Sequence, residues 1–117
     1  MKLSLISTLL LALALPALAQ TGQPVGPEYG YTPMTLSEAK SAADDSLVSI
    51  RGFIVKRLSD DEYLLKSANE TLTVEIDDHL WQGIQITDKH EVEIKGEIDQ
   101  DWDRTELEAD KLNVLPQ

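Results

Sequence analysis

The sequence predicts a small, mostly β domain that begins with one short helix. Apolar and polar residues alternate through five segments between Leu47 and Val114, and a possible helical turn separates the third segment from the fourth. Gly52 and Gly96 interrupt two long segments, where a strand of a small barrel would bend. This order is typical of the OB-fold. We therefore predict an all-β, five-stranded OB-fold Greek-key barrel with one N-terminal helix; a flat meander covered by the helix is the alternative.

The N-terminal residues have the pattern of a cleaved signal peptide. Lys2 provides a positive start, residues 3–15 are apolar, and Ala17 and Ala19 form the small-residue cleavage pattern. The apolar run is shorter than the roughly 20 residues of a membrane anchor, and no cysteine follows it for lipid attachment. We expect a periplasmic protein without a stable membrane anchor. Residues 1–19 would be removed, residues 20–34 would form a flexible leader, and residues 35–117 would form one OB-fold domain.

The predicted helix starts with a capping box. Thr35 and Glu38 have the spacing at which each side chain accepts a hydrogen bond from the other's backbone N–H. Leu36, Ala39 and Ala42 then fall on one helical face. These residues predict a helix over about residues 35–45.

The five predicted strands follow in order, at residues 47–58, 62–68, 71–77, 90–99 and 105–115. In the fourth, Val92, Ile94 and Ile98 are expected to face the core, because the intervening residues are charged or glycine. In the fifth, the apolar pair Leu112 and Val114 is out of phase with the pair at 107 and 109. This change of phase predicts a β-bulge near Lys111.

Charge and composition exclude several functions. The chain has 21 acidic residues against 10 Lys and Arg, a formal net charge of −11, which repels nucleic-acid phosphates and anionic membrane surfaces. It has no cysteine and only two histidines, and a barrel of this size leaves little room for a catalytic cleft. We expect no nucleic-acid partner, no cofactor and no enzymatic activity; a small hydrolase is the least favoured alternative.

A basic cluster in the first two strands is the candidate ligand-binding surface. OB-folds bind ligands on the face of their second and third strands, and cations beside an aromatic ring can hold an anionic or sugar group. Cross-strand pairing with neighbouring acids is the structural alternative. The candidate ligand-binding residues are Arg51, Lys56, Arg57, Tyr63 and Lys66.

Two acidic clusters suggest divalent-cation binding as an alternative function. Carboxylate oxygens suit hard cations, and the segment from Asp99 to Asp110 partly matches an EF-hand loop. However, Arg104 occupies the position that requires glycine, and Asp110 occupies that of the bidentate glutamate. A hairpin between strands is therefore the better interpretation of this segment. The weak candidate metal ligands are Asp77, Asp78, His79, Asp99, Asp101 and Asp103.

Three motifs, RGFIVKRLSDDEYLLKSA, VEIDDHLWQG and VEIKGEIDQDWDRTELEADKL, resemble the bacterial OB-fold (BOF) family of small periplasmic stress-tolerance proteins. With the signal peptide and the T-x-x-E-A-K helix, they cover nearly the whole mature chain. The resemblance implies an N-terminal helix, a five-stranded barrel and a non-enzymatic role in envelope stress tolerance. It implies no particular ligand, because the family lacks a common one. We expect binding of an envelope component, a small ligand or a partner protein; the sequence makes no prediction of oligomeric state.

Overall fold

The computed structural model describes residues 30–117, so the predicted signal peptide and most of the leader lie outside the described residues. No helix in this part of the chain is long and apolar enough to cross a membrane. The elements are β1 (Thr32–Pro33), α1 (Leu36–Ala39), β2 (Leu47–Arg57), β3 (Glu62–Ser67), β4 (Glu70–Glu75), α2 (Asp78–Trp81), β5 (Glu91–Gln100) and β6 (Thr105–Val114).

Strands β2 to β6 close into a five-stranded barrel, as predicted. The strand order is β2-β3-β4-β6-β5, and β5 pairs with β2 to close the circle. The pairing of β4 with β6 is parallel, whereas the other pairs around the barrel are antiparallel. Because β5 lies between β6 and β2, the chain crosses over between β4 and β5. The Greek-key barrel prediction is confirmed.

Strand β2 takes part in two pairings because it bends at Gly52. Its first part, from Leu47 to Phe53, pairs with β5, and its last part, from Phe53 to Arg57, pairs with β3. A Cβ at Gly52 would lie 2.6 Å from the carbonyl oxygen of Lys66, closer than side chains tolerate. Glycine thus allows the two strands to approach at the bend.

A β-bulge in β6 lies opposite Gly96, the glycine that interrupts β5. Lys95 is opposite Lys111, whereas Gly96 is opposite Ala109, so Asp110 is the extra residue. A Cβ at Gly96 would collide with the backbone carbonyl of Glu108. The predicted bulge near Lys111 is confirmed, one residue earlier in the chain. It changes the phase of β6 so that Leu107 and Leu112 both reach the core.

The core fills the barrel with aliphatic side chains from every barrel strand. The alternation predicted for β5 is confirmed, since Val92, Ile94 and Ile98 are fully buried. Leu36 and Ala39 of α1 belong to the same cluster, so the helix packs against the barrel. Burying a large aliphatic side chain contributes about 1.5–3 kcal/mol, which makes this cluster the main source of stability.

Helix α1 is shorter than predicted. The capping box is present, with Glu38 N donating to Thr35 Oγ1 at 3.0 Å and Thr35 N donating to Glu38 Oε1 at 2.8 Å. The helix ends at Ala39, however, and not near residue 45. The side-chain amide of Gln100, which is distant in sequence, donates to the carbonyls of Lys40 and Ala42. These carbonyls would otherwise accept bonds from the next helical turn, so the expected extension to residue 45 is wrong.

The end of the predicted flexible leader belongs to the folded domain. Thr32 and Pro33 form β1, which pairs with Val48 and Ser49 of β2. Met34 N also donates to the Ser49 carbonyl at 3.1 Å. The folded domain therefore begins before residue 35, the start that the sequence predicted. Proline lacks an N–H, so sequence patterns argue against a strand there, although proline is accepted at a sheet edge.

Candidate functional site

Two adjoining depressions lie beside the C-terminal half of β2. The first, of about 450 Å³, runs between residues 54–57 of β2 and residues 84–88, which lead into β5. The second, of about 500 Å³, shares Val55 and Asp88 with the first. We call the combined surface the cationic groove; its charged and aromatic lining comprises Phe53, Lys56, Arg57, Tyr63, Trp81, Lys66 and Lys89, with Asp88 as the acid.

An aromatic pair supports the first depression. The ring centroids of Tyr63 and Trp81 lie 5.2 Å apart at an interplanar angle of 58°. Tyr63 is only 8% exposed, and Trp81 packs partly buried against the core. The indole Nε1 of Trp81 is buried and has no hydrogen-bond acceptor among the residues that the structure describes. An unpaired buried donor costs about 1–3 kcal/mol, so the indole N–H of Trp81 offsets part of the stability gained by packing the ring.

Arg57 stabilises the turn that follows it. Its Nε donates to the carbonyl of Ser59 at 2.9 Å, and its Nη2 donates to the carbonyl of Asp60 at 2.7 Å. Its guanidinium carbon also lies 5.7 Å from the centroid of the Tyr63 ring. These contacts shape the turn between β2 and β3. Arg57 can thus add positive charge to the groove, while most of its directional bonding is used internally.

Three lysines in the groove are available to a ligand. Lys56, Lys66 and Lys89 are exposed, and none of them forms an ion pair with a carboxylate in residues 30–117. Lys66 lines the second depression together with Lys89, and Lys56 lines the first. The structure thus brings together four of the five residues predicted for ligand binding and adds Lys89. Position 89 lies far from the others in sequence, so the earlier grouping by strand missed it.

Arg51 is separate from this groove. It lies opposite Glu93 on β5, with Arg51 Nε 3.7 Å from Glu93 Oε2. It lines a different depression, which also contains Met34, Thr35 and Glu38. Its inclusion in one surface with Lys56 and Lys66 is therefore corrected. The Arg51 side chain instead pairs with Glu93 on the neighbouring strand, which was the alternative to ligand binding that the sequence left open.

The candidate metal ligands do not converge. Asp77 precedes α2, Asp78 and His79 belong to α2, and Asp99 lies on β5. Asp101 and Asp103 lie in the loop between β5 and β6. Within the described residues, no three carboxylate or imidazole side chains form a group that could hold a metal ion.

Glu106 is a buried acid that alternation did not predict. It is 8% exposed, and Arg104 Nη2 lies 2.6 Å from its Oε2 in a charge pair without an aligned hydrogen bond. Burial raises the pKa of Glu106, Arg104 opposes the increase, and a hydrogen bond with Glu62 adds to it. The sequence signal is Arg104, two positions earlier, since alternation places position 106 on the outward face.

Two further carboxyls show the crowding of acids on the barrel surface. Burial raises the pKa of Glu75, and the negative charge of Asp61 raises it further. A hydrogen bond with Asp45 raises the pKa of Glu97. Neither residue lines any of the depressions described above, nor does Glu106. These acids therefore belong to the outer barrel surface and not to a cleft.

Comparison with solved structures agrees with the topology. The structure of ygiW from Escherichia coli superposes with a TM-score of 0.71 and 40% sequence identity, covering 81% of this chain and all of that one. The telomere capping protein Ten1 from Schizosaccharomyces pombe gives a TM-score of 0.60 at 11% identity, covering 72% of this chain and 80% of that one. The latter likeness shows the fold alone.

Sequence comparison gives relatives with the same architecture. Protein YgiW of Escherichia coli is 43% identical over 81 residues, which are 69% of this chain and 62% of that protein. The calcium-regulated OB-fold protein CarO of Pseudomonas aeruginosa is 37% identical over 90 residues, 77% of this chain and 78% of that one. The family model described as bacterial OB fold (BOF) protein matches residues 17–114. The chain therefore belongs to the bacterial OB fold family, as the motifs had indicated.

Proposed function

We propose that this protein is a non-enzymatic periplasmic binding module that contributes to envelope stress tolerance. Its ligand would be an envelope component, a small ligand or a partner protein, held in the cationic groove. One observation carries the proposal: in a strongly acidic chain, three exposed lysines without carboxylate partners in residues 30–117 line two adjoining depressions, the first of which also contains the Tyr63–Trp81 pair. Membership of a family of OB-fold proteins supports a binding role.

The distribution of ion pairs supports the choice of surface. Lys40, Arg51 and Arg104 each lie within 4 Å of a carboxylate, and all three are outside the groove. The lysines in the groove instead keep their ammonium groups in water. Charge-assisted hydrogen bonds to an anionic group would therefore form there without breaking an existing pair.

The groove chemistry supports binding over catalysis. Its lining contains one acid, Asp88, and no histidine. The carboxyls whose pKa is raised, at positions 75, 97 and 106, line none of the depressions described above. General acid–base catalysis needs such a group within reach of a bound substrate. The periplasmic location rests on the signal-peptide pattern of residues 1–19.

Binding to defined envelope fractions tests the proposal. Purified protein is incubated with peptidoglycan sacculi and with lipopolysaccharide, and the retained fraction is compared with that of Lys56→Gln/Lys66→Gln. Lys95→Gln/Lys111→Gln is the matched control, because it removes the same charge outside the groove. We expect roughly tenfold weaker retention for the groove variant only. Equal retention of all three proteins would count against the groove as the binding site.

Divalent-cation binding is a second candidate function. A relative of this chain is named as a calcium-regulated protein, and the negative charges of nearby acids add to the burial that raises the pKa of Glu75 and to the Asp45 hydrogen bond that raises the pKa of Glu97. A cation would relieve this repulsion, although no preformed three-residue site exists in residues 30–117. Calorimetric titration with calcium, zinc and cadmium tests the idea. Flat traces at millimolar metal would remove it.

A further inference from the structure

A fully exposed tryptophan stands at the turn between β5 and β6. Trp102 is 96% exposed, whereas the three other exposed large hydrophobic residues are 37–43% exposed. Indole rings are among the side chains most often found as anchors in protein interfaces. We call residues 100–105 the tryptophan hairpin.

The base of the tryptophan hairpin is held firmly. Gln100 N donates to Asp44 Oδ1 at 2.8 Å, and the Gln100 side-chain amide donates to two carbonyls after α1. Thr105 Oγ1 donates to Gln100 Oε1 at 2.6 Å, and Asp101 N donates to the Arg104 carbonyl at 2.9 Å. The indole is therefore carried on an ordered support, which lowers the entropy cost of binding through it.

The charge around Trp102 favours a cationic partner. Asp101 and Asp103 flank it in the chain and are exposed, and the nearby cation, Arg104, is paired with Glu106. The face of an indole ring attracts ammonium and guanidinium groups, and adjacent carboxylates add to that attraction. Phosphate groups are repelled by the same charges, which opposes base stacking of nucleic acid on this ring.

The shape of the hairpin favours a polypeptide over a sugar. Trp102 lines none of the depressions described on residues 30–117, so the indole projects from the surface. Small ligands bind in concave sites that cover most of their surface. A projecting ring instead inserts between side chains of a larger partner.

We propose that the tryptophan hairpin is a docking element for a basic polypeptide. An arginine or lysine of the partner stacks on the Trp102 ring while Asp101 and Asp103 pair with neighbouring basic groups. This surface is distinct from the cationic groove, which has the opposite charge. The two sites can therefore be tested separately, and the loss of one does not bear on the other.

Fluorine NMR provides a direct test, because the chain has only two tryptophans. Protein labelled with 5-fluorotryptophan is titrated with a short Arg- and Leu-rich peptide, with the same peptide carrying Glu in place of Arg, and with an uncharged chito-oligosaccharide. The variants are Trp102→Ala and Asp101→Asn/Asp103→Asn. The matched control is Asp77→Asn/Asp78→Asn, which removes the same charge beside α2.

Of the three titrants, we expect only the basic peptide to shift the Trp102 resonance. The chemical shift of Trp81 should not change. In calorimetric titrations with the same peptide, Trp102→Ala should weaken binding roughly tenfold, and the hairpin double variant should weaken it more than the control does. Three results would each overturn the proposal: unchanged affinity for Trp102→Ala, equal weakening by both double variants, or a Trp102 shift with the oligosaccharide instead.

Discussion

The cationic groove and the tryptophan hairpin use similar residues in opposite ways. Each contains one of the two tryptophans, but Trp81 packs on Tyr63 and the core, whereas Trp102 is almost wholly exposed. The groove collects lysines that have no carboxylate partner within residues 30–117, whereas Trp102 of the hairpin is flanked by two aspartates. A small barrel can thus carry two surfaces of opposite charge, because the closed sheet supports both independently of their side-chain chemistry.

The tryptophan hairpin joins β5 and β6, which approach each other closely at Gly96. Gly96→Ala should lower the free energy of unfolding by about 3 kcal/mol, because the added Cβ meets the backbone of Glu108, which cannot move without separating the strands. Denaturant unfolding followed by fluorescence measures the change. Gly83→Ala is the control, since it has an open environment and only its φ of 78° to strain it, and it should cost about 1 kcal/mol. A larger loss for the control would contradict the packing argument.

Truncating each tryptophan should separate the two regions by their contribution to stability. Trp81→Ala should cost about 3 kcal/mol, since it removes the tilted ring contact with Tyr63 and leaves space beside the core. Trp102→Ala should change the free energy of unfolding by less than about 0.5 kcal/mol, because the ring is in water. Thermal and denaturant unfolding of the two variants provide the comparison, and similar losses would mean that Trp102 has a structural role.

Two carboxyls with raised pKa values predict a pH dependence of stability. The folded-state pKa values of Glu106 and Glu75 are raised, so the folded protein binds protons more tightly than the unfolded chain. Their stabilising contribution is complete below the ordinary pKa of glutamate and is lost as the pH rises through the raised values. Glu106→Gln should therefore flatten the decrease in stability between acidic and neutral pH. Unfolding measured at several pH values tests this, with Lys56→Gln as the variant that should keep the slope.

A small effect is expected at the edge of the second depression. Ala68 has a φ of 53°, in the left-handed region, within the two-residue turn between β3 and β4. Ala68→Gly should raise the free energy of unfolding by about 0.5 kcal/mol, because the relief of strain exceeds the entropy cost of glycine. Ala43→Gly, at a position without positive φ, should instead lower it by about 0.5–1 kcal/mol. A decrease for both variants would contradict the strain argument.

The order of strands was predictable, and the composition of the groove was only partly so. Lys56, Arg57, Tyr63 and Lys66 lie on adjacent strands of one hairpin, so a sequence-based grouping placed them together. Arg51 fell outside because the bend at Gly52 turns the first part of β2 towards β5. Lys89 was missed because it joins the groove through the connection between α2 and β5, whose path has no periodic signal.

The sequence by itself determined the barrel strands, the start of the helix, and the two places, Gly52 and Gly96, where a strand lacks a side chain so that its neighbour can approach. These features depend on local periodicity, on a cap whose partners are three residues apart, and on the missing side chain of glycine. Only the tertiary structure decided where the helix ends, that β1 joins the sheet, that Glu106 is buried, and which cations share a groove. Each of these depends on contacts between residues distant in the chain, such as Gln100 with Lys40, and on registers shifted by bulges. Local patterns contain no record of such contacts, because the partners are brought together only when the sheet closes.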